Sequence, residues 1–158
     1  MTIHSWPVRL CLLLVVVSVL AIPGFAQNAA GIQAGVSASP DQFYIGGHVA
    51  VAEIEKNFWF RPGADVGFGN SATVFTLNGD FVYNVDLRKN PWTAYFGGGP
   101  ALVIATIHRD APLSNNTDVG PGFHFLAGIR KPKGIFAEIK VGLMDSPEFK
   151  LGIGYSFR

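Results

Sequence analysis

The sequence predicts an all-β fold of eight antiparallel strands running up and down around a closed barrel. Three observations carry that reading. Apolar and polar residues alternate with period two through most of residues 30–157. Clusters of Pro, Gly, Asn, Asp and Ser interrupt the alternation at short intervals, and no helical apolar stripe appears between them. Successive side chains of a strand point to opposite faces, so each alternating run is a strand with one apolar and one polar face. Short strands linked by turns form a meander, and closing the meander removes its unpaired edges.

The strands follow in order. The first spans 30–38, with Ile32, Ala34 and Val36 on one face, and Ser39-Pro40-Asp41 turns it. The second spans 42–53, with Phe43, Ile45, Val49 and Val51 opposite Tyr44 and His48, and the chain turns at Glu55-Lys56-Asn57. The third spans 58–69, setting Phe58, Phe60, Ala64, Val66 and Phe68 against Trp59, Arg61, Asp65 and glycines. The fourth, 73–87, alternates Phe75, Leu77, Phe81, Tyr83, Val85 and Leu87 with Thr76, Asn78, Asp80, Asn84 and Asp86. The fifth, 92–107, places Trp92, Ala94, Phe96, Leu102 and Ile104 outward and Thr93 and Tyr95 inward, around the run Gly97-Gly98-Gly99-Pro100. Residues 108–119 read as the longest polar loop, and the sixth strand, 120–130, sets Phe123, Phe125, Ala127 and Ile129 against His124, Arg130 and glycines. The last two strands form a hairpin about Asp145-Ser146-Pro147. Ile135, Ala137, Ile139, Val141 and Leu143 share the face of Phe149, Leu151, Ile153, Tyr155 and Phe157; Glu138, Lys140 and Lys150 lie opposite. Pro62, Pro100 and Pro121 fall inside strands, where a missing donor calls for a bulge or a strand end.

The first 26 residues are of another kind. Arg9 precedes the apolar run Leu10–Ile22, which ends at Gly24-Phe25-Ala26. That is the layout of a cleaved secretory signal peptide, and the run is shorter than the roughly 20 residues of a spanning helix. The expected division is 1–26 as leader and 27–158 as one domain. Cys11 lies in the leader, so the exported chain has no thiol. Without Arg9, one of 12 Lys and Arg, the basic residues balance the 11 Asp and Glu. No basic excess remains to attract nucleic acid.

The two faces decide what surrounds the barrel. A soluble barrel shows charge outside, whereas a barrel in lipid turns its apolar face outward and keeps a polar lumen. Here the apolar faces are almost free of charge. The polar faces mix Gly, Ser, Asn and Thr with a few charges of both signs: Arg61, Arg130, Lys140 and Lys150 against Asp65, Asp80, Glu138 and Glu148. Eight strands enclose a space that side chains nearly fill. The expected lumen network is therefore Arg61, Asp65, Asp80, Glu138, Lys140 and Lys150. Aromatic residues gather near strand ends, as in interfacial girdles, and the strands suit the roughly 9–11 residues that cross a bilayer. The expected fold is thus a transmembrane barrel with a polar, largely filled lumen, and lipid is its partner. The alternative is a secreted lipocalin-like barrel with a ligand cavity, but the Gly-x-Trp of that class is missing near the first strand.

An apparent leader, eight alternating strands and a final strand ending Gly-Tyr-Ser-Phe-Arg resemble the small outer-membrane β-barrel proteins of Gram-negative bacteria, over all of 27–158. The resemblance implies an outer-membrane location and a monomer. It also implies that Tyr155 and Phe157 are the signal read by the barrel-assembly machinery; Arg158 departs from the usual terminal aromatic. Both termini and the turns 54–57, 88–91 and 131–133 would then face the periplasm, and segments 39–41, 70–72, 108–119 and 144–147 the outside.

Such barrels include enzymes acting on lipid A that use a His with Ser and an acid near the outer rim. The His-x-Ser-Asn of the deacylases is missing: His124 is followed by Phe125-Leu126 and His108 by Arg109-Asp110. Ser114 lies in the same loop as His108 and Asp110, but nucleophilic catalysis needs a base within hydrogen-bond reach, and no spacing here brings one. His124 and His48 read as lumen packing. Asp110, Asp118, Asn115 and Asn116 lack a calcium-loop spacing, and Gly97–Gly99 continues a strand where a phosphate loop would open a helix. No catalytic, cofactor or metal residue is assigned. The expected role is non-catalytic, structural or in surface interaction, with a lipid A-modifying enzyme and a narrow channel as alternatives.

Overall fold

A computed structural model of the chain describes residues 30–70, 72–87, 91–107, 116–131 and 134–157. The expected leader, the basic turn residues Arg88, Lys89 and Lys133, the loop residues His108, Asp110, Ser114 and Asn115, and Arg158 lie outside the described residues.

Nine strand segments occur: β1 (Ala30–Ala38), β2 (Gln42–Val49), β3 (Ala52–Glu55), β4 (Phe58–Phe68), β5 (Ala72–Asp86), β6 (Thr93–Ile107), β7 (Asn116–Arg130), β8 (Gly134–Met144) and β9 (Phe149–Phe157). Each pairs antiparallel with its chain neighbour, β1 also pairs with β9, and β2 also pairs with β4, so the sheet closes. β2 and β3 lie along the same neighbour and together make one barrel strand, which gives the eight strands of the closed barrel. β1 meets β9 with Ala30 opposite Phe157 and Ala38 opposite Phe149. Among the described residues there is no helix.

The prolines explain the departures from regularity. The second strand, expected to be continuous over 42–53, breaks between β2 and β3. His48 pairs with Gly63 and Ala52 with Phe60, so Val49, Ala50 and Val51 oppose only Arg61 and Pro62. Pro62 has no N–H to offer there, and the extra residue is accommodated as a bulge. Pro100 sits where the β5–β6 ladder lapses between Asn78–Ala101 and Phe81–Gly98, without a change of register. Pro121 stays inside β7 opposite Leu102. It lies past the end of the β7–β8 ladder, which stops at Gly122–Met144, so no partner needs its missing donor on that side. The long polar loop is shorter than the expected 108–119. Residues 116–119 pair with Ile104–Ile107 and extend β7.

The period-two pattern resolves into an inverted barrel. Ile32, Phe43, Phe68, Phe96, Phe125 and Ile153, from six of the strands, are 51–70% exposed along the outer face. Inward residues are buried, including Thr93 and Tyr95, which settles the phase of β6 as expected. The lumen holds its paired charges at mid-height, with a small apolar cluster on either side. Val74, Ala101 and Val103 pack together toward the loop end, and Val82, Tyr95 and Leu126 toward the end that holds Ala30 and Phe157, called here the terminal end.

The glycine run of β6 has a packing reason. A Cβ at Gly97 would overlap the carbonyl oxygen of Phe81, and one at Gly99 that of Gly79. Only residues without a Cβ let β6 approach β5 this closely. Gly97→Ala is expected to cost about 1–3 kcal/mol, the usual range for forced overpacking, seen as a lower urea midpoint of the detergent-refolded barrel. An unchanged midpoint would show that the strands part without cost.

Candidate functional site

Every second residue of a strand points inward, so Arg61 and Asp65 on β4, Asp80 on β5, His124 on β7, Glu138 and Lys140 on β8 and Lys150 on β9 all project into the lumen, each less than one-tenth exposed. The closed sheet brings them into two groups, one around Asp80 and one around Asp65. Arg61 Nη2 donates to Asp80 Oδ2 at 3.1 Å and to Glu138 Oε2 at 2.7 Å. Lys140 Nζ donates to Asp80 Oδ2 at 3.2 Å and lies 3.6 Å from Glu138 Oε1. His124 Nε2 meets Asp80 Oδ1 at 2.6 Å. Lys150 Nζ pairs with Asp65 Oδ1, and Asn78 Nδ2 donates to Asp65 Oδ2 at 2.8 Å.

Local strand geometry supplies some of this. Arg61 and Asp80 are direct cross-strand partners. Lys140 and Lys150 are also direct partners, an unfavourable like-charge pair taken alone. Each is instead drawn across the lumen to a carboxylate, Lys140 to Asp80 and Lys150 to Asp65. Three cations and three carboxylates balance among Arg61, Lys140, Lys150, Asp65, Asp80 and Glu138. Buried charge is tolerable when it is paired and hydrogen-bonded in this way, and it sets which strands face each other.

The network divides the lumen. At the terminal end lies a cavity of about 390 Å³, lined by Trp59, Arg61, Asn84, Asp86, Tyr95 and Arg130 among others. At the loop end lies one of about 340 Å³, lined by Val74, Val103, Ala105, Ile107 and Pro147. A small pocket of about 10 Å³ lies among Thr76, His124, Lys140, Ser146 and Lys150. That is about the space of one water molecule. A larger concavity, about 920 Å³, is lined chiefly by outward apolar side chains such as Ile32, Ile45, Ile135 and Ile153, and belongs to the exterior.

The structure buries all six residues expected in the lumen, with Arg61, Asp80, Glu138 and Lys140 joined to one another and Lys150 paired separately with Asp65. Two other expected lumen charges stand apart. Glu148 is exposed in the turn after β8, because the chain leaves the sheet at Met144 and its alternation no longer applies. Arg130 sits nearer the terminal end, where its Nη2 donates to Asn84 Oδ1 at 3.2 Å. His48 packs edge-on against Phe136 at 5.3 Å between ring centroids. His124 is more than packing, since it bonds the carboxylate that holds Arg61 and Lys140; its inward phase beside a strand carrying Asp80 was the available signal. Tyr155 and Phe157 lie on the outer face at the end of β9, their rings 5.2 Å apart. Asp118 is exposed on β7. Among the described residues no group of three or more His, Cys, Asp or Glu is placed to hold a metal ion.

No family model matches the sequence, and no curated protein matches it. Solved structures do. Neisserial surface protein A aligns with a TM-score of 0.62 at 13% identity, covering 82% of this chain and 96% of its own. The N-terminal β-barrel domain of Pseudomonas aeruginosa OprF aligns at 0.57 and 16% identity, covering 83% and 98%. The outer membrane enzyme PagL aligns at 0.51 and 10% identity, covering 82% and 98%. Identities this low speak to architecture alone: this chain has the fold of the small eight-stranded outer-membrane β-barrels.

Proposed function

We propose that this chain is an integral outer-membrane protein with a closed lumen, non-catalytic and non-conducting, which acts through the surface its loop end presents. One observation carries the reading: apolar side chains cover the outer face while the charges are paired inside. An exterior of that kind is poorly solvated by water and well solvated by acyl chains. Lipid is accordingly the main partner, the terminal end faces the periplasm, and the barrel is complete as a monomer because the sheet closes within one chain through the β2–β4 and β1–β9 pairings. Tyr155 and Phe157, outward at the end of the last strand, are assigned to recognition by the assembly machinery.

Fractionation tests the location. The protein should be found in outer membranes and show heat-modifiable mobility on gels; recovery as a soluble periplasmic protein without detergent would sink the reading. The ion network supports the closed lumen, since its buried side chains are held across the middle section by ion pairs. Planar-bilayer recordings of the refolded protein should show no conductance steps, and reproducible channels would replace this reading with a pore. The inward position of His124 and Asp80 supports the non-catalytic role. Both side chains are enclosed by lumen groups, away from the outer face where lipid would be met. Lipid A acylation in a deletion strain should match that of its parent.

A further inference from the structure

A cation stands on the outer face at the terminal end, beside an aromatic ring. Lys131 directly follows β7 and continues the outward phase of Phe125, Ala127 and Ile129. Its place is fixed from both sides. Its backbone N–H donates to the carbonyl oxygen of Ile135 on β8 at 3.1 Å. Its ammonium lies 5.1 Å from the centroid of the Trp92 ring, just before β6. Both side chains are half-buried. A Lys over an indole at a strand end covers apolar surface with its stem and keeps its charge at the polar margin.

The same ring belongs to the concavity of the outer face, together with Ile129, Ile135, Ala137, Ile153 and Tyr155. The register explains the hollow. Ile129, Ala137 and Ile153 are partners in turn across β7, β8 and β9, so the small Ala137 leaves a trough between two isoleucines. The trough suits an acyl chain, and Lys131 marks its terminal edge.

The charge at that edge has one sign. Near it, the outward faces of β6, β7, β8 and β9 hold no acid among the described residues. Asp86 lies in the inward phase of β5, where its Oδ1 accepts from Thr93 Oγ1 at 3.2 Å. Glu53 and Glu55 sit on β3, which β4, β5 and β6 separate from β7 one way round and β1, β9 and β8 the other. The residues next to these strand ends that lie outside the described ones, 88–90, 132–133 and 158, include Arg88, Lys89, Lys133 and Arg158 and no acid, so the sign does not depend on where they point.

We propose that Lys131 and Trp92 form a headgroup site for an anionic phospholipid, with the phosphate at the Lys131 ammonium and an acyl chain in the trough over Ala137. The proposal rests on the outer-membrane reading and names the lipid: one of net negative charge, from the leaflet at the terminal end. One Lys near an anionic lipid surface favours such a lipid about fivefold.

The test uses the refolded protein carrying Trp59→Phe, which leaves Trp92 as the only tryptophan in residues 27–158. It is reconstituted in phosphatidylcholine vesicles that hold either brominated phosphatidylglycerol or brominated phosphatidylcholine, whose bromines quench tryptophan on contact. Both should quench Trp92, with phosphatidylglycerol preferred about fivefold. Lys131→Gln should bring that preference below about twofold, whereas Lys131→Arg and the distant Lys56→Gln should keep it. Heat-modifiable mobility verifies the fold of each variant. Equal quenching by the two lipids overturns the proposal. So does a Lys131→Gln protein that keeps the preference, or a Lys56→Gln protein that loses it as fully, which would mark diffuse charge in place of a site. Quenching by neither lipid would overturn the outer-membrane reading as well, so the two failures are told apart.

Discussion

Asp80→Ala is expected to lower the unfolding free energy of the barrel by about 3–5 kcal/mol, the usual cost of removing one partner from a buried ion pair. Asp80 is the hub of the lumen: Arg61, Lys140 and His124 all address its two oxygens. Without it, Glu138 alone faces Arg61 and Lys140, and one buried cation is left uncompensated. The loss comes from that stranded charge, not from the value of any one bond. The double change Asp80→Ala with Lys140→Met should therefore recover part of the stability, because it removes the excess charge together with its partner. Urea titration of folded and unfolded gel bands in lipid vesicles measures both. A single-variant loss under about 1 kcal/mol, a surface-like value, would mean that the lumen is wet enough to screen its charges.

Ile139→Arg should cost about 2–4 kcal/mol in a bilayer, the penalty for a cation on the lipid face near the midplane. Ile139 lies at the centre of β8, outward and 42% exposed, between the inward Glu138 and Lys140. On a water-facing surface the same change would fall within about 0.5 kcal/mol. The measurement therefore separates a lipid-facing exterior from a solvated one. A stability equal to that of the parent in vesicles would place this face in water and take the membrane reading with it.

Most of the architecture could be read from the residues, because a strand with one apolar face writes that face into the chain with period two. Where the pattern was regular, as over Phe75–Val85 and Phe149–Phe157, boundaries and faces agree with the structure. Where it failed, a neighbour was the cause. The break at Val49–Val51 depends on Pro62 of the adjacent strand, and the extension of β7 over 116–119 depends on pairing with β6. Polar residues such as Thr117 and Asp118 read as loop because pairing that satisfies their backbone is non-local. Val74, Val82 and Leu126 were equally hidden: apolar residues in the inward phase look like errors in the alternation until the layers above and below the ion network are seen.

The sequence by itself determined the strand number, the inverted faces and the identity of the lumen charges, since each rests on a side chain's parity along its own strand. The tertiary structure alone decided who meets whom. Arg61 reaches Glu138, and Lys150 reaches Asp65, across positions 77 and 85 residues apart in the chain. Those pairings exist only because β2 closes on β4 and β1 on β9, which turns the polar faces toward one another. Closure also sets the paired charges against one another at mid-height and leaves a cavity of about 390 Å³ at the terminal end. Alternation tells a side chain which way to point; the circumference and register of the closed sheet set the distance to what it finds there.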